Sequence, residues 1–334
     1  MDKFKILTLD GGGVRGYLSI LILEKIEQQL NHYHNENIAI GMRFDLIAGT
    51  STGSIIAAML ALGKTAKEVK EVYAHDIPVI FGKKMKRWWP LQFTHAKYKN
   101  DMLVSKAKNY FGELTFSDVK RDLIITSVDV TTMTPRLHKS DYASRNLSRL
   151  DEMLTNAVVS SCSAPAFFKV ARCLKNSDFL IDGGIVANNP SMIAIIDALH
   201  FERPSKREIS IPKTLNDLLL LSIGTGNQCS TPFDLKPLED ASFEWLIQFP
   251  LGKYSFSMPL IEILMTSQSK LTEFQSKFLL DQAKAPNRRI NPQLSFKMKL
   301  DDITNLEKLK NIADLSFDDI SWLQQNFKSV NNEL

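Results

Sequence analysis

Three short turns rich in glycine hold the residue types that acyl transfer needs. The most specific turn is Gly49-Thr-Ser-Thr-Gly53, a G-x-S-x-G spacing that follows an apolar run and precedes an apolar stretch. A tight strand–turn–helix of this kind lifts a serine hydroxyl out of a sheet as a nucleophile, and the flanking Gly49 and Gly53 let neighbouring chains approach closely. Ser51 could instead merely cap the following helix. The apolar runs on both sides favour the nucleophile.

A serine nucleophile needs a base to accept its proton. Asp182 ends the apolar run 179–182 and is followed by two glycines, and the carboxyl ends of strands are where sites form in such sheets. In a partly dry pocket the pKa of this carboxyl would rise, so that it could accept the serine proton directly. An aspartate that ends a strand in a turn is also common, so this role depends on the other two turns. The six histidines do not stand at strand ends flanked by glycines; they are His32, His34, His75, His95, His138 and His200.

The loop Asp10-Gly-Gly-Gly-Val-Arg-Gly16 joins a predicted strand to a predicted helix. Successive glycine amides at a helix N-terminus form a cradle for a phosphate or for the oxyanion of a tetrahedral intermediate. The loop also fits G-x-G-x-x-G, which makes a dinucleotide-binding fold the alternative. That fold needs a second strand ending in an acid about 20 residues later. Glu36 stands there, but the polar residues before it do not predict a buried strand.

Together the three turns resemble the patatin-like family of lipid acyl hydrolases. The resemblance extends to segments 163–168, 186–190 and 221–226 and covers residues 4–227. It implies a dyad of Ser51 and Asp182, without a catalytic histidine, that hydrolyses lipid esters through an acyl-serine.

The same resemblance implies an oxyanion hole built from the backbone of Gly11, Gly12 and Gly13 and supported by Arg15. It implies no cofactor, and the sequence has no H-E-x-x-H or similar spacing for a metal. The first residues do not have the pattern of a signal peptide. In this respect the chain resembles the bacterial intracellular members of the family.

Alternating strands and helices must position the three turns. Apolar runs predict strands at 4–9, 44–48, 122–130, 179–181 and 218–223 and helices at 17–30, 54–62, 150–159 and 190–199, the last with Asn189 as its N-cap. This alternation indicates an α/β fold, a three-layer α/β/α sandwich with a mostly parallel central sheet. Residues 1–230 are expected to form the catalytic core. Residues 231–334 are expected to form a mainly helical C-terminal portion of the same domain, with helices at 257–280 and 305–327 and a strand near 289–299.

Composition limits the classes of function. The 334 residues are 44% hydrophobic and 23% charged, which is typical of a folded domain with a substantial core. A net charge of +4 is too small to indicate a dedicated nucleic-acid binder. Three cysteines without a CxxC pair suit a reducing compartment, and no stretch has the length and apolarity of a membrane span. We therefore expect a cytoplasmic protein that contacts membranes only peripherally.

One segment could provide that contact. Between Asp76 and Asp101 the chain has no acidic residue, and its basic and indole side chains suit an anionic bilayer surface. A solvated loop with its tryptophans folded back onto the domain is the alternative. The candidate contact residues are Lys83, Lys84, Lys86, Arg87, Trp88 and Trp89.

The residues and the resemblance together predict a phospholipase A or lysophospholipase that releases fatty acids from glycerophospholipids. Three alternatives stay open. The same chemistry could be switched on by a nucleotide signal or a protein of a host. The chain could be an oxidoreductase that binds a dinucleotide, or a lipid-binding module without activity.

Overall fold

The computed structural model describes residues 3–82, 96–140, 152–172, 179–199, 214–228, 233–239, 245–246, 258–316 and 320–329. The strands are β1 (Phe4–Leu9), β2 (Leu46–Thr50), β3 (Asp122–Asp129), β4 (Thr134–Lys139), β5 (Ala171–Arg172), β6 (Phe179–Asp182), β7 (Leu218–Ile223), β8 (Asn227–Gln228), β9 (Asn287–Ile290) and β10 (Gln293–Leu294). The helices are α1 (Gly16–His34), α2 (Thr52–Ala61), α3 (Ala66–Gly82), α4 (Asn100–Phe111), α5 (Leu154–Ser161), α6 (Gly184–Ala187), α7 (Ser191–Ala198), α8 (Pro259–Gln282), α9 (Leu306–Leu315) and α10 (Ser321–Asn326).

Parallel strands form the centre of the main sheet, in the order β3-β2-β1-β7-β9. Antiparallel strands are added beside β3, which pairs with β4 and with β6, while β5 pairs with β6. Leu9 lies opposite both Gly49 and Ile223, so the carboxyl ends of β1, β2 and β7 meet at one edge. The mostly parallel sheet of the prediction is confirmed, and the glycine turns after β1 and β2 lie side by side.

Helices cover both faces of this sheet. Successive side chains of a strand point to opposite faces, and here the side chains on both faces are apolar and need to be buried. Leu7, Ile47 and Ile125 belong to the core shared with α1, α2 and α5. Ile6, which precedes Leu7, and Ala48, which follows Ile47, point to the other face and belong to a separate core shared with α7 and α8. The three-layer α/β/α arrangement is therefore confirmed.

The C-terminal portion contributes to the same sheet. Ile290 of β9 lies opposite Ile223 of β7, and the ring of Phe327 meets that of Phe44 edge-on at 5.2 Å between centroids. These contacts support our proposal that residues 231–334 belong to one domain with residues 1–230.

Some predicted elements differ from the structure. The structure differs from the single helix predicted at 305–327, since α9 ends at Leu315 and α10 begins at Ser321. Ser316 follows α9, and serine favours helix ends over helix interiors. Helix α7 begins at Ser191 rather than at Pro190, which is its N-cap. Asn189 stands one residue before that cap, and its Oδ1 accepts hydrogen bonds from the Ser191 N–H (3.0 Å) and hydroxyl (2.6 Å).

The sequence pattern missed β4, whose six residues include Pro135 and four polar side chains. Proline is tolerated there because β4 lies at an edge of the sheet. The candidate membrane-contact residues, Lys83, Lys84, Lys86, Arg87, Trp88 and Trp89, lie outside the described residues. In the described ranges no helix combines the length and the hydrophobicity that crossing a bilayer requires.

Candidate active site

Ser51 and Asp182 meet because the strands before them share one edge of β3. Strand β4 occupies the other edge of β3, where it pairs with residues 124–129. These residues include ones that pair with β2 and with β6 on the shared edge. On the shared edge β2 runs in from one end, with Thr50 opposite Thr126, and β6 runs in from the other, with Asp182 opposite Ser127. Because these partners are consecutive on β3, the ends of β2 and β6 face each other.

The two side chains form a direct hydrogen bond. Ser51 Oγ donates to Asp182 Oδ2 at 2.6 Å, and Asp182 Oδ1 accepts the N–H of Gly184 at 2.7 Å. Ser51 is 7% exposed and Asp182 2%. Burial raises the pKa of Asp182 to about 6, although both hydrogen bonds lower it in part. A carboxylate with that pKa is suited to accept a proton near neutral pH.

The turn that holds Ser51 is strained. Ser51 has φ 52° and ψ −124°, a left-handed conformation unusual for a residue with a side chain. Its N–H donates to Ser161 Oγ at 2.8 Å. The flanking glycines are required by close crossings: a Cβ on Gly49 would lie 2.3 Å from the Gly53 oxygen, and one on Gly53 would lie 2.4 Å from the Leu9 oxygen.

The glycine loop offers fewer free amides than the sequence predicts. The Gly11 N–H donates to the Asn188 oxygen at 2.9 Å and is therefore already occupied in this arrangement, so the role of Gly11 as an oxyanion donor stays a prediction. Val14 N–H donates to the Leu300 oxygen at 2.8 Å. Within the described part of the chain no acceptor meets the N–H groups of Gly12 and Gly13, which leaves these two amides available.

An apolar pocket of about 50 Å³ lies over the dyad and the glycine loop. Ser51, Asp182 and Gly13 line its polar side. The apolar walls are Ile55, Ile77, Ile80, Phe81, Leu103, Phe167, Phe168, Met265 and Leu300.

Arg15 lies on the far side of the loop, in a larger polar cavity of about 410 Å³ rather than in the pocket of Ser51. Burial lowers the pKa of its guanidinium, and the carboxylates of Glu262 and Asp10 offset part of that shift. Its Nε–H points at the Gly12 oxygen from 3.5 Å. Arg15 therefore supports the loop from behind and does not reach towards the hydroxyl.

Within the described residues no histidine lines the pocket of Ser51. His138 is fully buried elsewhere, between Ser127 Oγ and Glu152 Oε1, each 2.8 Å from one ring nitrogen. Ser127 is itself inaccessible, so this serine–histidine–glutamate chain has no route to a substrate. His95 and His200 lie outside the described residues. The described part of the chain contains no group of three or more His, Cys, Asp or Glu side chains arranged to hold a metal.

Arg289 is the functional residue that the sequence pattern did not reveal. Its Nη1 and Nη2 donate to the two oxygens of Asp10 at 3.0 and 2.5 Å, and Nη1 also reaches Ser222 Oγ at 2.7 Å. Burial alone lowers the pKa of the Arg289 guanidinium, but the carboxylates of Asp10 and Glu273 together raise it by more, so the net shift is upward. This bidentate pair fixes the start of the glycine loop. A buried aspartate needs such a partner, but the sequence pattern does not indicate which cation provides it.

We predict that Arg289→Met lowers the free energy of unfolding by about 3–5 kcal/mol, because it leaves the Asp10 carboxylate buried without its cation. Urea unfolding followed by circular dichroism measures the change. Arg288→Met is the matched control on the same strand. The Arg288 guanidinium lies 6.0 Å from the Trp322 ring centroid, so its removal should lower the free energy of unfolding by at most about 1 kcal/mol. Equal losses in the two variants would contradict the anchoring role of Arg289.

The family model described as "Patatin-like phospholipase" matches residues 7–195. The chain is 33% identical over 229 residues to a cGAMP-activated phospholipase of Escherichia coli (strain TW11681), a match that covers 67% of this chain and 62% of that protein. It is 30% identical to a cGAMP-activated phospholipase of Vibrio cholerae, with 67% and 64% covered. It is 29% identical to Patatin-like protein 2 of Arabidopsis thaliana, with 80% and 70% covered. The chain thus spans less than two thirds of the length of these two bacterial relatives. With more than half of its residues matched by the family model, the chain belongs to the patatin-like phospholipase family.

Proposed function

We propose that this protein is a serine hydrolase that cleaves the acyl esters of glycerophospholipids through the dyad of Ser51 and Asp182. The observation that carries the proposal is the 2.6 Å hydrogen bond from Ser51 Oγ to a buried carboxylate at the base of an apolar pocket. Membership of the patatin-like phospholipase family supports the lipid ester as substrate and removes the dinucleotide-binding alternative. Glu36, the acid that alternative required, follows the end of α1 and pairs with Arg43 at 2.8 Å.

The mechanism needs only side chains and backbone amides of this chain. Asp182 accepts the proton of Ser51 as Ser51 Oγ bonds to the ester carbonyl carbon. The oxyanion that forms is stabilised by the N–H groups of Gly12 and Gly13. The carbon–oxygen bond to the alcohol then breaks, and the alcohol leaves with the proton held by Asp182.

Water completes the cycle by the same steps. Asp182 takes a proton from a water molecule, which attacks the acyl-serine carbonyl. The bond to Ser51 Oγ breaks, the fatty acid leaves, and Ser51 recovers its proton from Asp182. The apolar walls suit the hydrocarbon of the acyl group, because burying it there removes apolar surface from water.

The place of action and the control of activity are further parts of the proposal. A phospholipid substrate implies peripheral contact with a bilayer, for which the basic run from Lys83 to Trp89 stays a prediction. The E. coli and V. cholerae relatives are described as cGAMP-activated phospholipases, and a third relative from E. coli as a cUMP-AMP-activated phospholipase. We propose by analogy that an activating cyclic nucleotide also increases the activity of this protein.

The dyad is tested by fatty-acid release from phospholipid vesicles. We predict that Ser51→Ala and Asp182→Asn each lower the rate at least about 10³-fold, because each removes a member of one catalytic unit. A fluorophosphonate probe should label the wild type but not Ser51→Ala. Ser276→Ala, which alters a buried serine outside the pocket, is the control that should keep activity and labelling. Release that persists in both dyad variants would refute the dyad.

The pH profile follows from the raised pKa of Asp182. The carboxylate must be ionised to accept the proton, so we predict that kcat/KM falls about tenfold per pH unit below about pH 6. An ordinary exposed aspartate would place that fall near its usual pKa, about two pH units lower. The profile is measured with a soluble short-chain ester, and a plateau extending unchanged to pH 4.5 would contradict the assignment.

Activation is tested with the same soluble ester and with vesicles. We predict that adding cGAMP or cUMP-AMP raises the rate at least about tenfold, the size of coupling expected for an effector that stabilises an active state. Adenosine monophosphate at equal concentration is the control. Full activity without any cyclic nucleotide, unchanged on addition, would show that this chain is not regulated in that way.

A further inference from the structure

A second apolar cavity, of about 30 Å³, lies directly behind the pocket of Ser51. The two cavities share the side chains of Ile55, Ile77, Ile80 and Leu103 as walls. Only the far cavity is lined by Val72, Tyr73, Ala107, Phe111 and Val158. The two spaces are therefore neighbours separated by a few aliphatic side chains.

Helices α3 and α4 form the long sides of this combined space, which we name the α3–α4 slot. Phe81 lines only the pocket of Ser51, whereas Val72 lines only the far cavity. These residues are nine positions apart on α3, which corresponds to about 13 Å along the helix axis. The slot thus leads away from the nucleophile between two helices, with aliphatic and aromatic walls.

A cluster of charged and polar groups forms part of the wall of the far cavity. Asp76 Oδ1 lies 2.8 Å from Lys106 Nζ, and Asp76 Oδ2 accepts the hydroxyl of Tyr110. All three residues line the far cavity. Burial alone raises the pKa of Asp76, but hydrogen bonds with Lys106, Tyr110 and the exposed His75 together more than offset this, so its pKa lies below the usual value.

We propose that the α3–α4 slot binds the fatty acyl chain of the substrate, and that the cluster of Asp76, Lys106 and Tyr110 limits the length of chain it accepts. The proposal rests on the proposed function, since Ser51 at the open end is where the carbonyl must lie. Each methylene inside the slot leaves water for an apolar wall. A chain that reached the cluster would have to separate the buried Asp76 carboxylate from the groups that pair with it, which opposes further extension.

Ala107 makes the slot testable without altering the catalytic groups. It is 6% exposed, it lines only the far cavity, and it does not line the pocket of Ser51. A leucine there would fill the far cavity with hydrocarbon. Ser105 on the same helix is exposed and lines neither cavity, so Ser105→Leu is the matched control.

The experiment compares kcat/KM for p-nitrophenyl butanoate, octanoate and dodecanoate in the wild type and both variants. In the wild type we expect a rise of about fourfold for each added methylene until the slot is full. Ala107→Leu should keep the butanoate value within about twofold and lower the ratio of dodecanoate to butanoate at least about tenfold, since about two methylenes are displaced. Ser105→Leu should follow the wild type.

Calorimetric binding of butanoate and dodecanoate supplies a readout that needs no catalysis. Tighter binding of dodecanoate by the wild type, lost in Ala107→Leu, would support the slot even if no ester were hydrolysed, and that result would count against the proposed function alone. Identical chain-length profiles in wild type and Ala107→Leu, in both hydrolysis and binding, would overturn the slot. Hydrolysis and probe labelling that depend on Ser51 would in that case leave the proposed function intact.

Discussion

The geometry of this protein depends on one edge of β3, which two strands share from opposite ends. Thr50 and Asp182 occupy consecutive positions along it, opposite Thr126 and Ser127. Because side chains alternate between the faces of a strand, a slip of one residue would turn Asp182 to the other face of the sheet. The hydrogen bond to Ser51 is therefore a consequence of strand register, which the buried core on both faces holds in place.

The turn after β2 is strained, and the packing of this core offsets the free-energy cost of that strain. A residue with a side chain at positive φ costs about 1–3 kcal/mol and persists only where its surroundings determine it. Around Ser51 the backbones of β1, β2 and α2 approach so closely that Gly49 and Gly53 have no room for a Cβ. Ser161 adds a hydrogen bond to the Ser51 amide. The strain is thus placed where backbones cross closely, and the hydroxyl gains a fixed direction.

Local patterns in the sequence were sufficient to predict the parallel strands, the three glycine turns and the layers. They were not sufficient for features that depend on a distant partner. A run of four residues such as β6 does not encode its own direction, so its antiparallel pairing with β3 follows only from the fold. The loss of the Gly11 amide to the Asn188 carbonyl and the anchoring of Asp10 by Arg289 join residues 177 and 279 positions apart. No spacing rule connects such pairs.

Two buried aspartates, Asp10 and Asp182, have different partners and are therefore suited to different roles. Asp10 receives a bidentate guanidinium from Arg289 and becomes part of the scaffold under the glycine loop. Within the described residues Asp182 has no cation within ion-pair distance; its partners are a hydroxyl and a backbone amide. Its charge is stabilised too weakly to offset burial, and its pKa rises to about 6. Burial raises the pKa of Asp10 as well, and Arg289 offsets only part of that rise. The two carboxylates therefore differ in their contacts: both oxygens of Asp10 are bound by one guanidinium, whereas Asp182 Oδ2 faces the Ser51 hydroxyl, which is the geometry that a general base needs.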